Sequence, residues 1–299
     1  MSDIKEELSA YSLEFNARLA EFFPLTAQPE HRVVEAMKYS VTNGGKRLRP
    51  FLVYESAKLF GLDFEESLRT AVALECLHSY SLIHDDLPAM DNDDMRRGKP
   101  TCHKAYDEAT AILAGDGLLT YAFEILSQEK THPSAQVRIN LIECLSNAAG
   151  AFSGMVAGQM LDLYAEKTTE KTSDNLVKHI EEMKTGRLIR YACEAGAILG
   201  NAQEEEKNSL INYARKIGIA FQIADDILDV EGNPQLVGKK LNKDSAQGKA
   251  TFVSLYGLDK AKQMEQDYIA EAKECLEQVF GIKSTTLQNL ADFIIYRNY

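Results

Sequence analysis

Basic residues are in short supply in this 299-residue chain: Lys and Arg number 33 against 45 Asp and Glu, a formal net charge of -12. That balance excludes the basic face of a nucleic-acid binder, and it makes recruitment of a polyanion depend on locally gathered cations or a metal. Proline is scarce too: of seven, Pro24, Pro29, Pro50, Pro100, Pro133 and Pro234 fall at plausible helix edges or loops, leaving Pro88 inside an acidic motif. Cys76, Cys102, Cys144, Cys193 and Cys275 are odd in number and lack any CxxC spacing. Neither a disulfide framework nor a zinc site is implied, and thiols in a reducing compartment are expected. The charged start, Met1-Ser2-Asp3-Ile4-Lys5-Glu6, is patterned like an amphipathic helix, and no later run is expected to approach a membrane span. A soluble, cytoplasmic protein without stable membrane insertion is the expectation.

Several chemical signatures are also missing. There is no GxSxG elbow, no HExxH, no GxGxxG, no GxxxxGK[ST] and no Cys–His pairing at a known spacing. Covalent nucleophilic catalysis and hydride transfer therefore have no visible support.

What is present is helical periodicity. Apolar residues recur three and four apart over Ile4 to Phe23, Arg32 to Val41, Phe51 to Phe60, Glu65 to Ile83, Tyr106 to Ser127, Val137 to Tyr164 and Leu176 to Leu199, while strand-like alternation is scarce. Loops are expected at Thr42 to Arg49, Leu87 to Thr101, Gln128 to Gln136, Glu166 to Asp174, Asn201 to Lys207 and Gly232 to Lys249, none with linker composition. With 45% hydrophobic residues the chain can bury a sizeable core, and an all-α bundle forming one domain, 1–299, is expected.

Two aspartate clusters interrupt this pattern: Asp85-Asp86-Leu87-Pro88-Ala89-Met90-Asp91, followed by Asp93 and Asp94, and Asp225-Asp226-Ile227-Leu228-Asp229. Carboxylates packed this closely repel one another and resist desolvation, and oxygen-only ligands suit Mg²⁺ or Ca²⁺ rather than zinc. Asp225 and Asp229 are four apart, so on a helix they share a face with Cβ atoms ~5–6 Å apart. The six-residue step from Asp85 to Asp91 falls about 120° off that face. Pro88 offers the remedy, because it breaks the helix and lets Asp91 swing back toward Asp85. The plain alternative for either motif alone is a solvated acidic helix end.

Basic residues lie near these clusters. Gly44-Gly45-Lys46-Arg47-Leu48-Arg49-Pro50 offers a turn with a point charge at Lys46 and a planar fork at Arg49. Arg96 and Arg97 follow the first acidic cluster. His78 sits about two helical turns before Asp85. Lys184-Thr185-Gly186-Arg187 and Gln222 add polar groups to otherwise apolar helices, and Lys239, Lys240, Lys243 and Lys249 crowd a loop after the second cluster. Each alone has an ordinary surface or core explanation; together they suit a metal-bound diphosphate leaving group beside an apolar pocket.

The ordered set of motifs, from Gly44-Gly45-Lys46-Arg47-Leu48-Arg49-Pro50 through Asp85-Asp86 to Asp91, Lys184-Thr185-Gly186, Phe221-Gln222 with Asp225-Asp226 and Asp229, and Gly248-Lys249, resembles the short-chain trans-prenyl diphosphate synthases, most closely bacterial farnesyl diphosphate synthases. The resemblance implies an isoprenoid-synthase helical bundle around a central active-site cavity, and a homodimer. It implies Mg²⁺, three ions per site, held by Asp85, Asp86, Asp91, Asp225 and Asp229. It assigns Arg96, Lys184, Lys239 and Lys249 to the allylic diphosphate, and Lys46, Arg49, His78 and Arg97 to isopentenyl diphosphate. Thr185 and Gln222 would turn oxygen dipoles toward the allylic cation. Tyr80, five residues and about 7.5 Å of helix before Asp85, would floor the pocket beside the small Ser81 and set a C15 product. Geranylgeranyl and geranyl diphosphate synthases share every diphosphate and metal residue named, and a non-catalytic helical subunit is the rival from another class.

Overall fold

The computed structural model describes residues 4–25, 27–167, 174–231 and 251–296, and these are almost wholly helical. The chain divides into two compact units, the first comprising Met1–Tyr54 with Leu62–Ile142 and the second Glu55–Gly61 with Glu143–Tyr299.

The first unit contains α1 (Ile4–Glu21), α2 (His31–Thr42), the start of α3 (Leu48–Lys58), α4 (Phe64–Asp85), strands β1 (Met95–Arg96) and β2 (Lys99–Pro100), α5 (Cys102–Ala105), α6 (Glu108–Ser127) and the start of α7 (Ala135–Ala149). Its central member is α4. Asp63 starts that helix by accepting from the Glu66 N–H while the Glu66 side chain accepts from the Asp63 N–H, a reciprocal cap that satisfies two otherwise orphaned donors. From Ser67 to Ile83 it buries residues on every face, as a helix enclosed by neighbours must. It packs along α6, which also receives α2. Tyr11 of α1 anchors an aromatic cluster with Phe15, Phe51, Tyr54 and Phe64, at ring separations of 5.2 to 5.7 Å.

One expectation is corrected here. Helix α6 is long and apolar enough to cross a membrane, with a mean hydropathy of 1.3 over its best window. Its hydropathy comes largely from alanine, leucine and isoleucine, and in this fold Ala111, Ala114, Leu118 and Ala122 are buried core residues.

The second unit contains the end of α7, α8 (Met155–Lys167), α9 (Asp174–Glu181), a π-helical turn (Glu182–Gly186), α10 (Arg187–Leu199), α11 (Glu204–Glu231), α12 (Phe252–Tyr256), α13 (Leu258–Phe280), a 3₁₀ turn (Gly281–Ser284) and α14 (Thr285–Tyr296). Helix α11 is its axis and packs most extensively on α13, then on α10. The buried Tyr213 of α11 donates its hydroxyl to the Leu287 carbonyl at 2.7 Å, tying in α14.

Three elements differ from the sequence reading. The single helix expected over Val137 to Tyr164 is two, separated at 150–154, where a Cβ on Gly154 would stand 2.5 to 2.6 Å from the backbone of Gly150, Ala148 and Asn147. The helix expected from Leu176 to Leu199 contains the π turn. The loop expected over Leu87 to Thr101 includes a two-residue hairpin, whose Arg97 (φ 52°) and Gly98 (φ 75°) adopt the left-handed conformation such a turn requires.

Candidate active site

The first acidic motif is built by the ending of α4. After Asp85 the chain turns through Pro88, with the Met90 N–H on the Leu87 carbonyl at 2.9 Å and the Asn92 N–H on the same carbonyl at 3.1 Å. The Asp91 N–H donates to the Asp85 carbonyl at 2.9 Å, so the loop returns Asp91 to the end of the helix as the position of Pro88 suggests.

Asp86 behaves differently from its neighbour. It is buried, and its two carboxylate oxygens accept from Arg96 Nε at 2.8 and 2.9 Å and from Arg96 Nη2 at 2.6 Å. Burial holds the Asp86 carboxyl above its ordinary range although Arg96 opposes the shift. Both residues carry expected roles toward metal or diphosphate, and here they meet each other. Asp86, expected among the metal ligands, has both oxygens engaged by a guanidinium. Arg96, expected on the allylic diphosphate, holds the hairpin to the end of α4.

The cationic side forms around the glycine turn. Arg97 donates to the Gly44 carbonyl and its guanidinium lies against Gly45. Arg49 Nη1 is 3.5 Å from His78 Nε2. Burial, followed by Arg49, Arg97, Arg96 and Arg47, drives the His78 pKa well below the usual imidazole value, leaving a neutral ring that can accept a hydrogen bond. Lys46 is exposed at the turn. Arg47 faces inward: it ion-pairs with the buried Glu75, donates from Nε to Asn16 Oδ1 at 2.8 Å and from Nη2 to the Val41 carbonyl at 2.6 Å. Sequence reading missed the Arg47–Glu75 pair, although a glutamate within the apolar stretch of α4 was a usable signal.

Tyr80 is buried, and its ring meets that of His84 edge to face at 5.1 Å. Ser81 is half-buried and donates to the His78 carbonyl at 2.8 Å.

In the second unit, Asp225 is exposed and Asp229 half-buried on α11. Asp226 accepts from the Phe252 N–H at 2.7 Å and so holds the start of α12. Lys184 lies in the π turn, where its ammonium pairs with Asp162 of α8 at 2.6 Å. Thr185 follows, half-buried. Gln222 donates from Nε2 to Glu181 Oε2. Asp162 and Glu181 are further residues that the sequence reading missed. Lys239, Lys240, Lys243, Gly248 and Lys249 lie outside the described residues.

The donor sets suit a hard divalent cation, since each motif offers several carboxylate oxygens and no cysteine or histidine. Among the described residues no three His, Cys, Asp or Glu side chains converge as a metal cage.

Comparison with known proteins agrees with this chemistry. Residues 30–285 match the family model described as polyprenyl synthetase, and the chain belongs to that family, whose members are generally Mg²⁺-dependent. It is 43% identical over 300 residues to the farnesyl diphosphate synthase of Escherichia coli (strain K12), with 99% of each chain covered. It is likewise 43% identical to the farnesyl diphosphate synthase of Geobacillus stearothermophilus, over 90% of this chain and 89% of that one. Among solved structures, an FPP/GFPP synthase from Zymomonas mobilis matches with a TM-score of 0.89 and 44% identity, covering 98% of each chain. The all-α fold expected from periodicity is that of these prenyltransferases.

Proposed function

We propose that the chain is a prenyltransferase that condenses isopentenyl diphosphate with dimethylallyl and then geranyl diphosphate, giving mainly farnesyl diphosphate. The observation that carries this reading is that the first unit holds both a carboxylate turn, Asp85 with Asp91, and a polar group of Arg49, neutral His78 and Arg97 around Gly44-Gly45. Such a pairing suits two diphosphates, one reached through metal and one directly.

On this reading Asp85, Asp91, Asp225 and Asp229 hold Mg²⁺, three ions per site, with the two units acting as one catalytic domain, 1–299. When bound, Mg²⁺ stabilises the charge that builds on the departing diphosphate. Lys184, already aligned by Asp162, and Lys239 and Lys249 contact the same diphosphate, and Arg96 reaches it from its seat on Asp86. Lys46, Arg49, His78 and Arg97 seat the isopentenyl diphosphate, with neutral His78 accepting from Arg49 or donating to a phosphate oxygen. The allylic C–O bond breaks, the cation is met by the isopentenyl double bond, and a new C–C bond forms. Thr185 and Gln222 turn oxygen dipoles toward the cation, an electrostatic aid that is strongest where water is excluded. The released diphosphate takes the proton lost as the new double bond forms, so no protein base is required.

Tyr80 closes the hydrocarbon pocket at C15. A homodimer is supported by Ile112 and Leu113 on α6 and Ile139 on α7, apolar side chains left exposed in the first unit. Five unpaired thiols favour a cytoplasmic setting.

The test is incubation with Mg²⁺, isopentenyl diphosphate and geranyl diphosphate, followed by chromatography of the dephosphorylated products. A dominant C15 alcohol is expected. C10 or C20 would overturn the length assignment alone, and absence of any Mg²⁺-dependent product would favour a non-catalytic subunit.

A further inference from the structure

Glu181, the last residue of α9, belongs to none of the motifs and has no part in the mechanism above, yet its Oε2 accepts a hydrogen bond from Gln222 Nε2. A primary amide carries an accepting oxygen and a donating nitrogen, while an ionised carboxylate only accepts. The contact therefore selects one of two amide orientations and turns Gln222 Oε1 away from Glu181. We infer that Glu181 is a positioning residue, holding the Gln222 side chain so that its oxygen rather than its NH₂ group faces the allylic cation. This rests on the role proposed above for Gln222.

The reversed amide would place a positive dipole end against a developing cation, so orientation decides whether Gln222 helps or opposes ionisation. Without a fixed partner both orientations are available, because the amide's two ends differ little in size. The surroundings make Glu181 a firm partner. It immediately precedes the π turn, which α8 approaches so closely that a Cβ on Gly158 would stand 2.3 Å from the backbone nitrogen of Lys184. The Lys184–Asp162 ion pair joins the same two elements at 2.6 Å. A π turn inserted in a helix is a common device for re-aiming side chains at functional sites.

The charged groups acting on Glu181 are Asp162 on α8, Lys184 in the π turn and Asp225 on α11. Burial first, then Asp162 and Asp225, push its carboxyl up to about 7 against the opposing pull of Lys184 and Gln222. Protonated Glu181 carries a donor beside its remaining acceptor, so it no longer selects one amide orientation of Gln222. Turnover is therefore expected to fall as the pH drops through this range.

The test compares Glu181→Leu, Glu181→Gln, Gln222→Leu and the double variant Glu181→Leu/Gln222→Leu. The readouts are kcat and both KM values with geranyl and isopentenyl diphosphates and Mg²⁺, and kcat against pH. Glu181→Leu should lower kcat about tenfold at nearly unchanged KM, a loss of orientation rather than of binding. Glu181→Gln offers both a donor and an acceptor and so selects neither orientation; its kcat should fall between those of Glu181→Leu and the parent, with no acid limb near neutrality. In the Gln222→Leu background, Glu181→Leu should cost nothing more, because the two act as one unit. Additive losses, or full kcat in Glu181→Leu beside a crippled Gln222→Leu, would overturn the inference while sparing the role of Gln222. Full kcat in Gln222→Leu would overturn both. Should Glu181→Leu fail to fold, an acid limb unchanged in Glu181→Gln would still refute the assignment.

Discussion

Asp86 is clasped by Arg96 through three contacts of 2.6 to 2.9 Å, whereas Asp85, its immediate neighbour, stands at the return of the Asp91 loop. Adjacent and chemically identical residues thus have different surroundings. Replacing Asp86 by alanine leaves a largely desolvated guanidinium without its counter-charge, and a loss of about 3 kcal/mol in unfolding free energy is expected. Asp85→Ala should instead leave stability within about 0.5 kcal/mol and lower kcat by at least about a hundredfold, as should Asp225→Ala in the second unit. Urea denaturation and steady-state turnover on the three variants separate the cases. Near-normal turnover in Asp85→Ala or Asp225→Ala would contradict the metal assignment.

The Arg47–Glu75 pair is buried on both sides, with the guanidinium completed by Asn16 and the Val41 carbonyl. It fixes the backbone of the turn between Lys46 and Arg49, where Arg47 itself has a positive φ of 52°. Removing one partner of such a pair strands the other charge, so Glu75→Ala should cost about 3–5 kcal/mol. Because the same turn carries Lys46 and Arg49, KM for isopentenyl diphosphate should rise in Glu75→Ala more than KM for geranyl diphosphate. Denaturation midpoints and separate KM determinations check both parts.

Much of this arrangement is legible in the sequence. Helix positions followed from apolar periodicity, and the place where α4 had to break followed from Pro88 and the six-residue aspartate step. What escaped notice depends on tertiary packing. Nothing in the local pattern distinguishes Asp85 from Asp86, since only the hairpin that carries Arg96 decides which of them is covered. Glu181 reads as an ordinary polar position of a helix until α11 brings Gln222 against it. The hairpin lacks the usual Asn-Gly signal because Arg97 occupies the left-handed position that Asn normally fills. The break between α7 and α8 was hidden because apolar residues continue at helical spacing across it.

His78 links stability to acidity. Its ordinary pKa is 6.5 and burial beside Arg49 lowers it well below that in the folded chain. A depressed imidazole favours the folded state fully above the unfolded value, and that contribution is lost as the pH falls below 6.5 toward the folded value. Over that window the loss approaches a limit of about 1.4 kcal/mol per pH unit. His78→Gln cannot titrate, so the metal-free variant should show a flatter dependence of its urea midpoint between pH 6.5 and 5 than the parent. Parallel curves would mean that the ring is charged in the folded protein.

Product length tests a longer chain of contacts, from Gly115 through His84 to Tyr80. His84 lies edge to face on Tyr80 at 5.1 Å, and its Nε2 is 3.1 Å from the Ile112 carbonyl. The ring occupies the space where residue 115 lacks a side chain, since a Cβ there would stand 2.1 Å from His84 Nε2. Tyr80→Ala removes the proposed floor and should move the main product from C15 to C20 or longer. Gly115→Ala attacks the same floor indirectly: the methyl group must displace His84, at a cost of about 1–3 kcal/mol, and Tyr80 loses its packing partner. A lower melting temperature together with an increased C20 fraction is therefore expected, smaller than that of Tyr80→Ala. Chromatography of products from both variants discriminates the outcomes. An unchanged C15 profile in Tyr80→Ala removes Tyr80 from the floor, while a shift in Tyr80→Ala without one in Gly115→Ala shows that Tyr80 holds its position without support from His84.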